Sequence, residues 1–127
     1  KRDYSRLAAK HAYITMEGSG GILCPIIFNE QELWLEDIIK AFRMNSVIVA
    51  DAGLGTINHT VLTSEYMKQK GLPVKGIILN HFHPGDEMEE DNARMIEHRS
   101  GVPILCRVKD GDTDLDIDGN LLASFYN

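Results

Sequence analysis

The chain has 127 residues, a formal net charge of -6, 43% hydrophobic and 25% charged residues. That length fits a single domain spanning 1–127 with a real core. The acidic balance argues against a nucleic-acid partner, because phosphate neutralisation needs clustered Lys and Arg. No apolar run approaches the roughly 20 residues of a membrane span and no signal-peptide pattern precedes the first element, so a cytoplasmic location without a membrane partner is expected.

Tyr4, Leu7 and Ala8 stand at helical spacing in the opening KRDYSRLAAKHAY. Ala12 to Met16 is an apolar run that predicts a buried strand. Gly18 to Gly21 breaks the pattern, and Ile22 to Phe28, holding Pro25, predicts an extended loop or short edge piece. Asn29, with Glu32 three residues on, resembles a capping box for a helix whose apolar face is Leu33, Leu35, Ile38, Ile39 and Phe42. Val47 to Ala50 predicts a strand, Asn58 to Lys70 a helix closed by Gly71, and Val74 to Leu79 another strand. Asp86 and Glu89 predict the start of a helix that ends at Gly101, and Pro103 to Cys106 a fourth strand. The tail around Asp118-Gly119-Asn120 predicts a hairpin. Helices alternating with strands across short links imply an α/β fold: a mostly parallel sheet with helices on both faces, in three layers.

Ligands of open parallel sheets bind beyond the carboxyl ends of the strands. Glu17, Asp51, the turn from Gly53 to Asn58, and Asn80 fall there. A carboxylate at Glu17 suits Mg²⁺, which prefers oxygen ligands, and the glycines after it let backbone N–H groups approach a ligand. Gly53-Leu54-Gly55-Thr56-Ile57-Asn58 opens a helix, so free N–H groups and the helix dipole favour an anion. Asn80 carries both donor and acceptor, which suits a purine edge. Each feature alone also fits an ordinary turn.

Other patterns carry less. HFHPGD, from His81 to Asp86, imitates a zinc motif but has Gly85 and Asp86 where Asp and His are needed. Asp114, Asp116 and Asp118 imitate an EF-hand start, but position 12 would be Phe125. Cys24 and Cys106 belong to no CxxC and are expected as two buried thiols.

Together MEGSGGILCPI, GLGTINHTVLT and GLPVKGIILN resemble dethiobiotin synthetase in order and spacing, over most of Ile14 to Asn80. The resemblance implies a P-loop NTPase-like fold, a homodimer, and ATP- and Mg²⁺-dependent closure of a ureido ring on 7,8-diaminopelargonate with CO₂. It implies that Glu17 is a Mg²⁺ ligand and that Gly18, Ser19, Gly20 and Gly21 line the reacting phosphate and amines. Gly55, Thr56, Ile57 and Asn58 would hold the substrate carboxylate across the dimer, and Asn80 would contact the adenine of ATP. The family's phosphate loop and its lysines precede the first motif, so the resemblance implies the C-terminal part of such an enzyme, inactive alone. Where the family has Ile-Pro after the fourth strand, this chain has Arg107-Val108-Lys109. A cobyrinic acid diamide synthase-type ligase and a non-catalytic module that keeps the fold are the alternatives.

Overall fold

In the computed structural model, which describes residues 2–18 and 20–126, the chain opens with helix α1, Arg2–Ala8, followed by a two-stranded antiparallel ribbon of β1, Pro25–Phe28, and β2, Glu32–Trp34. Helix α2, Leu35–Phe42, leads to the parallel sheet. There β3, Ser46–Asp51, α3, Thr56–Gln69, β4, Val74–Asn80, α4, Glu87–Ser100, and β5, Ile104–Arg107, succeed one another, with strand order β3-β4-β5. A short α5, Gly119–Ser124, closes the described chain.

The parallel α/β class read from the alternation of elements holds. Strand alternation explains the core: Ile48, Ala50 and Ala52 fall on the sheet face where Ile77 and Leu79 meet Ile57 of α3 and Ala93 and Ile96 of α4. Ile77, Leu79 and Ile96 are fully buried, each worth about 1.5–3 kcal/mol of transfer free energy. Leu35 and Ile39 of α2 join Met67 and Leu72 in a second cluster. Val49 points to the other side of β3 and remains 66% exposed. Three helix ends obey the sequence rules. Asp86 Oδ1 accepts from the N–H groups of Met88 (3.0 Å) and Glu89 (3.1 Å), and Gly101 ends α4 at φ 68°. Gly71 comes just after α3 at φ 67°.

Three expected elements differ. Ala12 to Met16 forms no strand: it is exposed apart from Ile14, because a strand exists only as one member of a ladder and no described strand pairs with it. Its side chains meet the tail instead, Tyr13 packing 4.9 Å from Tyr126 and Thr15 hydrogen-bonding to the Tyr126 hydroxyl. Asn29 caps no helix. Its Oδ1 accepts from the Gln31 N–H (2.9 Å) in the turn between β1 and β2, and the helix begins later, where Asp37 accepts from the Trp34 N–H (2.9 Å). The tail is a helix, not a hairpin. Asp118 Oδ1 accepts from Asn120 and Leu121 N–H (2.7 and 2.9 Å), so a residue that signals a turn acts here as an N-cap.

One glycine sets the spacing of the sheet. A Cβ on Gly76, buried in β4, would lie 2.3 Å from Leu105 Cγ and 2.5 and 2.6 Å from its two methyls. Gly76→Val is expected to destabilise the fold by about 2–3 kcal/mol through overpacking. Urea denaturation of the single variant and of Gly76→Val with Leu105→Ala checks it: the second change should recover part of the loss, which an effect of strand propensity alone would not allow.

Candidate functional site

The carboxyl ends of β3 and β4 lie side by side, with Asp51 the register partner of Asn80. One backbone bond continues past the ladder, from the Ala52 N–H to the Asn80 carbonyl (2.9 Å). The turn from Gly53 to Asn58 therefore leaves the sheet beside Asn80, as the geometry of successive parallel strands requires. Gly55 occupies the left-handed region at φ 88° and α3 begins at Thr56, two residues before the expected start. Among the described residues no hydrogen bond takes up the N–H groups of Ile57 and Asn58. They are free donors at a helix start, the arrangement that receives an anion.

Two side chains hold this turn, one from β3 and one from α4. Asp51 Oδ1 accepts from the Gly53 N–H (2.8 Å), while its Oδ2 bonds His81 Nδ1 (2.9 Å). The His81 contact first, then the Gly53 N–H, hold the Asp51 carboxyl below its usual range. From α4, buried Asn92 donates its Nδ2 to the carbonyls of Ala52 (2.9 Å) and Gly53 (3.2 Å). Asn92 has no signal in the sequence, since an Asn inside a helix with a polar sequence reads as a solvated position. Beside the turn, an open concavity of about 250 Å³ is lined by Asp51, Leu54, Thr56, His59, Thr60 and Thr63 with the edge of β3.

The first glycine run rests on a different support. A Cβ on Gly18 would come 2.6 Å from Leu35 Cδ2. Gly20 has φ 97°, and the Gly21 N–H donates to Sγ of Cys24 (3.1 Å), a free thiol that is only half-buried in this turn, whereas Cys106 is buried as expected. Ser19 lies outside the described residues. Glu17 is exposed, and among the described residues no ion pair takes its carboxylate. A free carboxylate fits one ligand position of a Mg²⁺ ion, which takes one or two protein carboxylates and completes its shell with phosphates and water.

Within HFHPGD, His83 clamps the loop to α4. His83 Nδ1 bonds Glu89 Oε1 (3.0 Å), its N–H donates to Glu89 Oε2 (2.6 Å), and Asp110 stands 4.0 Å from Nε2. Among the described residues no group of three His, Cys, Asp or Glu could hold a metal. The Glu89 hydrogen bond and charge raise the His83 pKa above its ordinary 6.5. A raised pKa means that the folded state holds the proton more tightly, so this contribution is complete below about pH 6.5 and fades as pH rises through the folded value. Tm is expected to decline over that window in the native protein and to flatten in Glu89→Gln, as thermal melts at stepped pH would measure.

The three-stranded parallel sheet and its flanking helices define an α/β class, and residues 1–113, which contain that sheet, match the family described as AAA domain. The chain belongs to that family. It is 53% identical over 117 residues to the ATP-dependent dethiobiotin synthetase BioD of Brachyspira hyodysenteriae, an alignment covering 91% of this chain and 53% of the relative. It is 42% identical over 126 residues to the protein of the same name from Clostridium botulinum strain 657, covering 99% of this chain and 55% of that one. With the protein of that name from Clostridium perfringens strain 13 it shares 51% over 108 residues, 85% of this chain and 47% of the relative. The chain thus spans about half the length of the curated relatives it matches. Among the described residues no helix is long and apolar enough to cross a membrane.

Proposed function

We propose that the chain is part of an ATP- and Mg²⁺-dependent dethiobiotin synthetase that closes a ureido ring on 7,8-diaminopelargonate with CO₂. The observation that carries this reading is 53% identity to a protein of that name across 91% of the chain. One amine of the substrate takes up CO₂ as a carbamate. The carbamate oxygen attacks the γ-phosphorus of ATP, expelling ADP, and the second amine attacks the resulting carbonyl, expelling phosphate and closing the ring. Protein work on such a transfer is positioning and charge stabilisation.

Each residue has a part in this reading. Gly18, Ser19, Gly20 and Gly21 line the reacting phosphate and amines. Glu17 holds Mg²⁺, which when bound offsets charge on the phosphates. The turn Gly55, Thr56, Ile57 and Asn58 receives the substrate carboxylate in a homodimer, reaching into the partner's site; its free N–H groups support that role. Asn80 contacts adenine. These residues act within one cytoplasmic domain.

The test is ATP-dependent incorporation of labelled CO₂ into dethiobiotin by the complete gene product. Labelled product supports the reading, and none with authentic diaminopelargonate overturns it. The 127 residues carry no G-x-x-x-x-G-K-[ST] phosphate loop, and we propose that alone they do not turn over.

A further inference from the structure

His81 is one of two non-glycine residues with positive φ, at 53°, among the described residues. That conformation is uncommon outside glycine and clusters at functional sites. Here it turns the imidazole across the ends of two strands. Nδ1 meets Asp51 Oδ2 at 2.9 Å, and Nε2 lies 3.4 Å from Asn80 Nδ2. Both members of the pair are more than half exposed, His81 at 59% and Asp51 at 64%, so the arrangement contributes little to the core.

The donor and acceptor roles are set in order. Asp51 is ionised and can only accept, so His81 Nδ1 carries the hydrogen. In the neutral ring Nε2 is then an acceptor, and it faces the Asn80 amide nitrogen. That nitrogen spends one hydrogen on His81 and keeps one, while among the described residues Oδ1 has no hydrogen-bond partner. An Asn amide presented this way offers one donor and one acceptor in a fixed order. Adenine, with an acceptor ring nitrogen beside its N6 amino donor, matches that order. Guanine presents the O6 acceptor where adenine has the N6 donor, so the Asn80 Oδ1, kept in place by the His81 acceptor, would face a second acceptor.

We propose that Asp51 and His81 form a relay that fixes the orientation of the Asn80 amide and so selects adenine over guanine nucleotides. The relay rests on the proposed role of Asn80 in the synthetase reading. Both residues are positioning residues; only Asn80 touches the base.

The experiment measures kcat and KM for ATP and for GTP with the complete gene product, in the native protein and in Asp51→Asn, His81→Phe and His81→Gln. Asp51→Asn puts an amide donor within reach of Nδ1, which favours the other ring tautomer and leaves Nε2 a donor. His81→Phe removes the acceptor. In both, the ratio of kcat/KM for ATP over GTP is expected to fall roughly five- to 150-fold, the worth of one bidentate base contact, with the change carried by KM. His81→Gln, whose amide oxygen can accept from Asn80, should recover part of the ratio, a rescue that a merely structural role would not give. Native turnover with ATP but an undiminished ratio in Asp51→Asn and His81→Phe overturns the relay and leaves the synthetase reading intact. A native protein with no turnover and no preference for ATP overturns both.

Discussion

Replacing Asn92 by aspartate is expected to destabilise the fold by about 3 kcal/mol at neutral pH and to disturb the turn from Gly53 to Asn58 with it. Asn92 is 8% exposed and its Nδ2 is the donor for both the Ala52 and Gly53 carbonyls. A carboxylate of the same shape has no donor. It would face two carbonyl oxygens in a site with little water, and burying an unpaired charge costs more than losing a neutral hydrogen bond. This fixes the sign of the pH dependence. The introduced carboxyl would have its folded pKa raised above its unfolded value, so the folded state would bind more protons between the two and stability would fall as pH rises through that interval. The gap between native and variant proteins should therefore be small near pH 4 and largest at neutral pH. Urea denaturation at several pH values reads this directly, and a gap that stays constant with pH would show that the site is wetter than the geometry implies. Asn92→Ala, which removes the donor without adding charge, should cost about 1–2 kcal/mol with no such pH dependence.

The contrast between Asn92 and Gly55 explains what is legible in the sequence. Local rules carry the parallel unit: an apolar run, a glycine turn, a helix and a terminal glycine lie within Val47 to Asn80, and each feature is fixed by neighbours a few positions away. The same grounds place Asn80 and the turn from Gly53 to Asn58 at the strand ends, and the structure sets them there. Asn92 acts on carbonyls 40 and 39 positions earlier, a contact that no local pattern encodes. His81 is similar: HFHPGD suggests a metal loop, whereas its Nδ1 meets a strand-end carboxylate 30 positions away.

The failures have the same origin. Ala12 to Met16 has strand-like composition, but pairing is a long-range property and the run meets Tyr126 instead. Asn29 and Asp118 belong to residue types that serve both turns and caps, and the residues downstream decide between the two. After Asn29 the chain can form a ribbon, so the side chain closes a turn. After Asp118 stand Leu121, Leu122 and Ala123, good helix formers with no described strand alongside, so the side chain caps.

Gly55→Val should lower kcat/KM for the proposed carboxylate substrate by about a hundredfold, the scale of a 1 Å misplacement at a positioning site. The cause is backbone conformation, not crowding. A Cβ at this position would meet His59 Cε1 at 3.7 Å and Nδ1 at 4.0 Å, ordinary contact distances, so space exists for a side chain. What the residue cannot do as valine is hold φ 88°, because a branched Cβ strongly disfavours the left-handed region. Relaxing that angle turns the peptide that leads into Thr56 and reorients the Ile57 and Asn58 N–H groups together. Stability should fall as well, by about 1–3 kcal/mol, the usual strain of such a conformation. Gly55→Asn separates the two explanations, since Asn visits the left-handed region far more readily while filling similar space. It should keep most of the native kcat/KM. If valine and asparagine were equally damaging, occupancy of the turn by a side chain would be the cause and the conformational account would be wrong. If neither changed KM for the carboxylate substrate, the turn would not be where that carboxylate sits.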